Sequence, residues 1–319
     1  MKTGYDPFFL NEKHPIPLPL PQGRVAAEAL DDGAVFDFTH FSIVMNQRTR
    51  FAIFSAACVD ILRAPPVTRD NSSWHFDERI GEENQVGPEY YARNDYDKGH
   101  LTRRRDICWG ERREAEQANY DSFCYANIAL QHHHFNTGIW NCLEDWVIQR
   151  LQAAKRLVIL TGPIHKDDDE EYCGVDGNPG SPIAAHPGSP IAAHPGSPIA
   201  AHPGSPIAAH PGCAVHIPFG FWKSVLYANE EQQISCLSFL IRQSPERSTD
   251  RCEYQRLVTY QVPLETIAKE TSLRFDASLY LRNPLFWEPR LVSSEGKQEV
   301  SELIPIYQPS DIRWSTPAP

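Results

Sequence analysis

The sequence predicts a fold of the α/β (α+β) class, and three observations lead to that prediction. The chain has 319 residues, 41% hydrophobic and 22% charged, which is the composition of a globular protein with a sizeable core. Several segments are rich in β-branched and aromatic residues, as strands are. Between them, apolar residues recur at helical spacing. Strands therefore flank a central helical stretch.

The strand candidates are the clearest elements. They cover residues 38–45, 50–59, 156–161, 214–218, 221–227 and 234–242. The first two predict a hairpin that turns across Asn46 and Gln47.

The helix is predicted by apolar residues that recur every three or four positions and bury one stripe. They are Trp140, Leu143, Val147, Leu151 and Ala154. A second, short helix is predicted over residues 263–270. We expect residues 1–283 to form one domain and the proline-rich residues 284–319 to form a loosely ordered tail.

A tandem repeat interrupts the domain. The octapeptide PGSPIAAH occurs four times in succession over residues 179–210. Two prolines and a glycine in each copy oppose helix and sheet pairing, which predicts an extended surface loop inserted into the domain. The repeat histidines are evenly spaced, but nothing in the pattern holds them together around a metal.

The net charge of −11 argues against a protein held to nucleic acid by bulk electrostatics. The distribution of the charge is more informative than its total, because residues 97–113 contain six basic and three acidic side chains. A local basic stripe therefore exists within an acidic chain.

Several classes of protein are excluded by what the sequence lacks. No apolar run is long enough for a membrane span, and residues 1–22 do not form a signal peptide. The eight cysteines form no CxxC pair, and we expect most of them to be buried thiols. The P-loop, dinucleotide-binding and GxSxG motifs are also absent.

The segment Asp97-Lys98-Gly99-His100 is the first with a catalytic character. It places an imidazole beside a glycine, which permits close approach, and near an acid. Alone the pattern is weak, because many histidines are structural. A series of polar and aromatic residues downstream strengthens it, namely Asn119, Asn127, Gln131, Asn136, Trp140 and Glu144.

In these residues the chain resembles the DNA/RNA non-specific endonucleases, ββα-metal nucleases whose signature is D-R-G-H followed by an asparagine metal ligand. The likeness runs from residue 4 to about residue 275. The other matching segments are residues 4–10, 39–45, 69 with 74–77, 136–144, 161–163 and 217–223. The main departure is Lys98, where the family usually has an arginine in a supporting role.

The resemblance implies a central antiparallel β-sheet flanked by helices, with a ββα-metal active site. It also implies a metal-dependent, sugar-non-specific endonuclease that hydrolyses the phosphodiester bonds of DNA and RNA and leaves 5′-phosphate ends. The expected ion is Mg²⁺, with Mn²⁺ as a substitute.

The resemblance assigns roles to individual residues. His100 is the expected general base, since a neutral imidazole takes a proton from water above its ordinary pKa near 6.5. Asn136 is the expected oxygen ligand of Mg²⁺, and Glu144 is expected to contact the ion through water. Arg69 is expected to stabilise the phosphate in the transition state, and Asp97 to anchor the motif.

Further residues are expected to bind the nucleic acid. Phosphate contacts need positive charge but carry no base identity, which suits the basic residues that follow the motif. The expected contacts are Lys98, Arg103, Arg104 and Arg105, with Asn127 and Gln131 on the floor of the site. We expect Trp109, Trp140 and Trp146 to belong to the core.

Structural interpretations of the same residues stay open at this point. His100 is alternatively a core histidine, Asn136 a helix cap and Arg69 an exposed arginine at a strand edge. The alternative for the whole chain is a catalytically silent domain that binds nucleic acid or a partner. Consecutive His132, His133 and His134 do not predict zinc, because their side chains diverge and no cysteine stands at finger spacing.

The location of the protein is not predicted. A non-specific nuclease endangers its own cytosol, and no export signal is visible. A protein inhibitor, an unconventional secretion route and a missing upstream segment are the three explanations.

Overall fold

Eight strands form one antiparallel sheet that carries the fold. The computed structural model describes residues 4–69, 73–172, 214–229, 231, 233–243, 257–287 and 303–314, so the repeats at 179–210 lie outside the described residues. The strands are β1 (Leu20–Pro21), β2 (Val35–Phe38), β3 (Phe41–Met45), β4 (Ala52–Asp60), β5 (Tyr96–His100), β6 (Ile128–His132), β7 (Arg156–Ile164), β8 (Glu171–Tyr172), β9 (Val215–His216), β10 (Gly220–Ala228), β11 (Ile234–Arg242), β12 (Thr259–Val262), β13 (Leu273–Arg274) and β14 (Ile304–Ile306). The order in the large sheet is β14-β12-β11-β10-β7-β4-β3-β2.

The helices lie on both faces of this sheet. They are α1 (Gly23–Ala27), α2 (Arg104–Ile107), α3 (Arg112–Ser122), α4 (Asn141–Arg150), α5 (Leu264–Thr271) and α6 (Ala277–Leu281). This architecture confirms the predicted α/β (α+β) class with a central antiparallel sheet flanked by helices.

The central strands are buried on both faces, which explains their continuous apolar sequences. In β7, Leu157 and Ile159 belong to one apolar cluster, whereas Val158 and Leu160 belong to another. Successive side chains of a strand point to opposite faces, so one run of four apolar residues serves both clusters. The sheet is therefore the middle layer of the molecule.

Each face of the sheet has its own cover. On one face, Leu264 and Ile267 of α5 and Leu279 of α6 pack with the apolar side chains of the central strands. The opposite face holds α2, α3, α4 and the two-stranded ribbon formed by β5 and β6, which contribute Ala118, Leu130 and other residues to the cluster there. The motif-bearing residues all belong to this second face.

Most predicted elements are confirmed. Strands β3 and β4 form the predicted hairpin, and the side chain of Asn46 accepts hydrogen bonds from the backbone of Arg48 and Thr49 in its turn. The predicted helix from residue 140 ends at Arg150 and is followed by a short 3-10 turn at Gln152–Ala154. The strand predicted at 214–218 is shorter, because only Val215–His216 pairs.

The prediction of a loosely ordered tail is wrong for residues 303–314. Strand β14 pairs with β12 at the edge of the large sheet, and Ile306 and Ile312 are buried. The side-chain amide of Gln261 forms hydrogen bonds with both backbone groups of Arg313. Prolines oppose helices, but they are tolerated on an edge strand, where one side of the strand needs no partner.

Within the described residues, no helix combines the length and the apolar character that a membrane span requires.

The packing of β14 predicts that Ile306→Ala lowers the free energy of unfolding by about 2–5 kcal/mol, because the substitution leaves a cavity in the core. Urea unfolding followed by circular dichroism measures the change. The neighbouring Tyr307→Ala is the control, since that side chain is 71% exposed and its loss is expected to cost less than about 0.5 kcal/mol. Equal, small effects of both substitutions would contradict the packing of the tail.

Candidate active site

Two strands, a turn and a helix bring the motif residues together. Strands β5 and β6 pair so that His100 lies opposite Ile128. A wide turn at Phe135–Trp140 follows β6, and its Gly138 has non-helical dihedral angles of φ −99° and ψ −107°. Helix α4 therefore begins only at Asn141 and carries Glu144 in its first turn. This ββα unit holds His100, Asn136 and Glu144.

A backbone hydrogen bond orients the imidazole of His100. The ring bonds the backbone carbonyl of Ser122 at the end of α3, while its Nε2 is buried and has no partner among the described residues. A carbonyl only accepts, so the bonded nitrogen, Nδ1, carries the hydrogen and Nε2 carries the lone pair. A buried nitrogen without a partner is costly, which favours a functional role over that of an ordinary core histidine.

The surroundings of His100 oppose its protonation. Burial against Trp74 and Phe123, together with the positive charges of Arg69 and Arg104, lowers the pKa of His100 to about 3. The ordinary value near 6.5 does not apply to the folded protein. His100 is a neutral acceptor over the whole physiological range.

Asp97 connects the first strand of the unit to the turn. The amide nitrogen of Asn136 donates to Oδ2 of Asp97 at 2.9 Å, and Nδ1 of His133 lies 3.0 Å from the same oxygen. The helix that follows has no side-chain cap, so the capping interpretation of Asn136 does not hold. Because the nitrogen of the carboxamide donates to Asp97, the oxygen is the atom of this side chain that remains to accept.

Glu144 is held between two cations. Its Oε2 lies 3.3 Å from Nε of Arg103, and its Oε1 lies 3.4 Å from Nζ of Lys223. Oε1 is buried and accepts no hydrogen bond from the described residues. Desolvation and the repulsion from Glu144 raise the pKa of the nearby Asp106 to about 7. Glu144 thus has a cationic group beside each of its two oxygens.

Lys98 and Arg69 lie against aromatic rings beside His100. Nζ of Lys98 is 4.6 Å from the ring centre of Trp74, and burial lowers its pKa. The guanidinium of Arg69 lies 5.7 Å from the ring centre of Phe123, in a loop and not at a strand edge. Two cations thus stand near the imidazole, as a site for a phosphate requires.

The three consecutive arginines differ in their contacts. Arg103 is mostly buried and donates to Asn141 and Asp145, so it is committed to groups of the protein rather than to phosphate. Arg104 donates to the side chain of Asn119 and contributes positive charge at His100. Arg105 is 70% exposed. The expectation of phosphate binding thus agrees best with Arg105.

Asn127 and Gln131, which the sequence predicts on the floor of the site, are both fully buried. The amide nitrogen of Asn127 donates to the carbonyls of Thr102 and Ser122, which braces the chain around His100. The side chain of Gln131 packs against Gly99, and a β-carbon on residue 99 would lie 2.3 Å from it. Both polar atoms of the Gln131 side chain are buried and have no hydrogen-bond partner among the described residues.

Sequence reasoning missed three residues of the site, which are Lys223, Asp106 and His133. Lys223 offered a signal, because it is the one charged residue in the apolar segment 217–223. Trp109 and Trp140 are buried in the core as predicted, and Trp146 packs against it.

The donor set of the site suits a hard cation. A carboxamide oxygen of Asn136 and a carboxylate of Glu144 are the ligand types that Mg²⁺ and Mn²⁺ prefer. No group of three or more His, Cys, Asp or Glu side chains in the described parts of the chain is arranged to hold a metal. A cation here would depend on few protein ligands.

Comparisons with known proteins agree with this geometry. The sequence profile of the DNA/RNA non-specific endonucleases matches residues 24–281. The uncharacterized protein y4fB of Sinorhizobium fredii is 35% identical over 199 residues, a match that covers 54% of this chain and 28% of y4fB. This chain therefore spans well under half the length of that relative.

A similar fold occurs in the crystal structure of the EndoG/EndoGI complex, which describes the mechanism of EndoG inhibition. The superposition has a TM-score of 0.52 at 18% sequence identity and covers 79% of this chain and 90% of the other. At this identity the likeness concerns the fold alone.

The pKa of His100 predicts a pH dependence of stability. Below about pH 6.5 the unfolded chain binds a proton at this residue that the folded protein does not bind, so acid lowers the free energy of unfolding. Between about pH 7 and about pH 5, we expect the free energy of unfolding to fall less in His100→Gln than in wild type. The difference between the two proteins is at most about 1.4 kcal/mol per pH unit. Urea unfolding at several pH values measures it. Substitution of the exposed His134 by Gln is the control. If the free energy of unfolding falls equally with pH in wild type and in His100→Gln, the lowered pKa of His100 is refuted.

Proposed function

This chain belongs to the DNA/RNA non-specific endonuclease family, and we propose that it hydrolyses the phosphodiester bonds of both DNA and RNA, with Mg²⁺ as its cation and Mn²⁺ as a substitute. The products carry 5′-phosphate ends. The observation that supports the proposal best is the buried Nε2 of His100, which carries a lone pair but has no partner in the described residues, within the same ββα unit as Asn136.

His100 acts as the general base. Its bond to the Ser122 carbonyl keeps Nε2 unprotonated, and its lowered pKa keeps the ring neutral, so Nε2 takes a proton from the attacking water. A base of such low proton affinity is weak. Its effect therefore depends on how close it holds the water to the scissile phosphate.

Asn136 would hold the cation directly, and Glu144 would contact it through water. Asp97 accepts a hydrogen bond from the amide nitrogen of Asn136 and so presents its oxygen, while Glu144 presents a carboxylate that lies between Arg103 and Lys223. When bound, the cation neutralises charge on the phosphate and assists departure of the leaving oxygen. The protein itself orients the two side chains, Asn136 through Asp97 and Glu144 through Arg103 and Lys223.

Arg69 and Arg104 stabilise the transition state, because both bring positive charge close to His100. Lys98 adds an ammonium group from the same strand as His100. These groups recognise phosphate and not base edges, which accounts for cleavage without sequence preference.

We also propose a protein inhibitor as a partner. The fold it shares with a chain of the EndoG/EndoGI complex supports this, since that complex shows EndoG bound by an inhibitor. An inhibitor would protect the cell that makes the nuclease.

The proposal predicts that wild-type protein degrades plasmid DNA and RNA with Mg²⁺ but not with EDTA, and that His100→Ala lowers the rate by about 10²–10⁴-fold. Gel assays with initial rates measure both effects. His134→Ala is the matched control, because it removes an exposed histidine of the same unit. Intact plasmid and RNA after incubation with pure, folded wild type would favour a catalytically silent binding domain.

Asn136→Ala is predicted to raise the Mg²⁺ concentration needed for half-maximal activity by about 10-fold or more, because it removes the amide ligand. The melting temperature is expected to stay within about 3 °C, since the side chain caps no helix. Thr137→Ala, next to it on the exposed side of the turn, is the control. A large loss of stability with an unchanged Mg²⁺ requirement would show that the residue is structural.

A further inference from the structure

Lys223 is a buried charge that the proposed reaction does not use. It lies in β10, in the interior of the large sheet, and is 1% exposed. Lysine is almost never fully buried unless it is paired. Its neighbours two positions away, Phe221 and Val225, belong to the cluster on the face that carries the ββα unit, so Lys223 points to that face as well.

Three groups meet the ammonium of Lys223. Its Nζ donates to Oγ1 of Thr161 at 2.9 Å, lies 3.4 Å from Oε1 of Glu144, and stands 4.8 Å from the ring centre of Trp140. Thr161 is its direct neighbour on strand β7. The hydroxyl and the ring carry no charge, so the compensating charge comes from Glu144, the nearer acid, and from Asp106.

The opposite side of Glu144 is anchored independently. Nε of Arg103 approaches Oε2, and the rest of that guanidinium is held by Asn141 and Asp145 of the same helix. The two carboxylate oxygens therefore have different cations, one from the sheet and one from the loop before α2. This arrangement determines the direction in which the carboxylate faces.

We propose that Lys223 is a positioning residue that acts through Glu144, and that it holds the carboxylate in the orientation required to bind a divalent cation at the active site. The inference rests on the proposed function, because it takes Glu144 as part of the cation site. Lys223 itself touches neither substrate nor cation.

A purely structural role would have a different signature. Removing one member of a buried ion pair leaves the other charge uncompensated, so a lysine with a structural role alone would, on replacement by methionine, lower the free energy of unfolding and leave the cation affinity of the folded variant unchanged. A lysine that orients a ligand would also change the cation affinity, because partners of metal ligands typically control it by about 10–100-fold. The cation affinity of the folded variant therefore distinguishes the two roles.

The experiment measures Mn²⁺ binding by electron paramagnetic resonance of the free ion, on the full chain without nucleic acid. Lys223→Met is expected to weaken Mn²⁺ binding by about 10-fold in the wild-type background and by less than about 2-fold in the Glu144→Gln background. Equal weakening in both backgrounds, or none in either, would overturn the inference.

Two further variants protect the test. Ser224→Ala is the matched control, because it removes a buried hydroxyl that bonds Ser238 on the other face of the same strand, and it is expected to leave Mn²⁺ binding unchanged. If Lys223→Met does not fold, Thr161→Val removes the hydroxyl that fixes Nζ and is expected to weaken binding by about 3-fold. Unchanged Mn²⁺ binding in a folded Thr161→Val would then count against the inference.

Parallel digestion assays separate the two proposals. Wild type that binds Mn²⁺ but leaves DNA and RNA intact would refute the nuclease activity and leave the role of Lys223 standing. Wild type that digests both, with Mn²⁺ affinity unchanged in Lys223→Met, would refute the role of Lys223 alone. Wild type that binds no Mn²⁺ would refute the role of Lys223, and the digestion assay would decide the nuclease activity independently.

Discussion

The hydrogen bond between His100 and the carbonyl of Ser122 is the constraint on which the site depends. It selects the ring nitrogen that carries the lone pair, and it requires the end of α3 to lie beside the end of β5. Asn127 stabilises this junction, since its amide nitrogen donates hydrogen bonds to the backbone carbonyls of Ser122 and Thr102. Because these polar groups are buried, each of them must find a partner inside the protein, and the chain path around His100 has little freedom.

A second constraint is the balance of charge between the sheet and helix α4. Arg103 and Lys223 approach Glu144 from two sides, and Asp106 adds a second acid whose pKa is raised. An uncompensated charge at this depth would be expensive, whereas a compensated cluster contributes little net stability. The cluster is better understood as a device that orients Glu144 than as a source of stability. In the same way, one carboxylate oxygen of Asp97 accepts a hydrogen bond from Asn136 and orients its carboxamide.

Much of the site could be predicted because its residues are close in sequence and local structure connects them. The spacing from Asp97 to Glu144 describes one ββα unit, whose strand pairing and delayed helix start are local events. The depth of some of these side chains could not be predicted. Asn127 and Arg103 are of residue types that usually face solvent, which is why the sequence predicts that both contact the nucleic acid. Their burial results from packing against segments far away in the chain.

The sequence alone determined the strand segments, the helix that begins near Trp140 and the motif that contains His100, since periodicity and motif spacing are properties of neighbouring residues. The tertiary structure decided the protonation of His100, the partners of Glu144 and the inclusion of Ile306 in the core. Those features depend on solvent exclusion and on charges supplied by elements distant in sequence. A pKa or a buried ion pair is a property of the assembled environment, which no single segment contains.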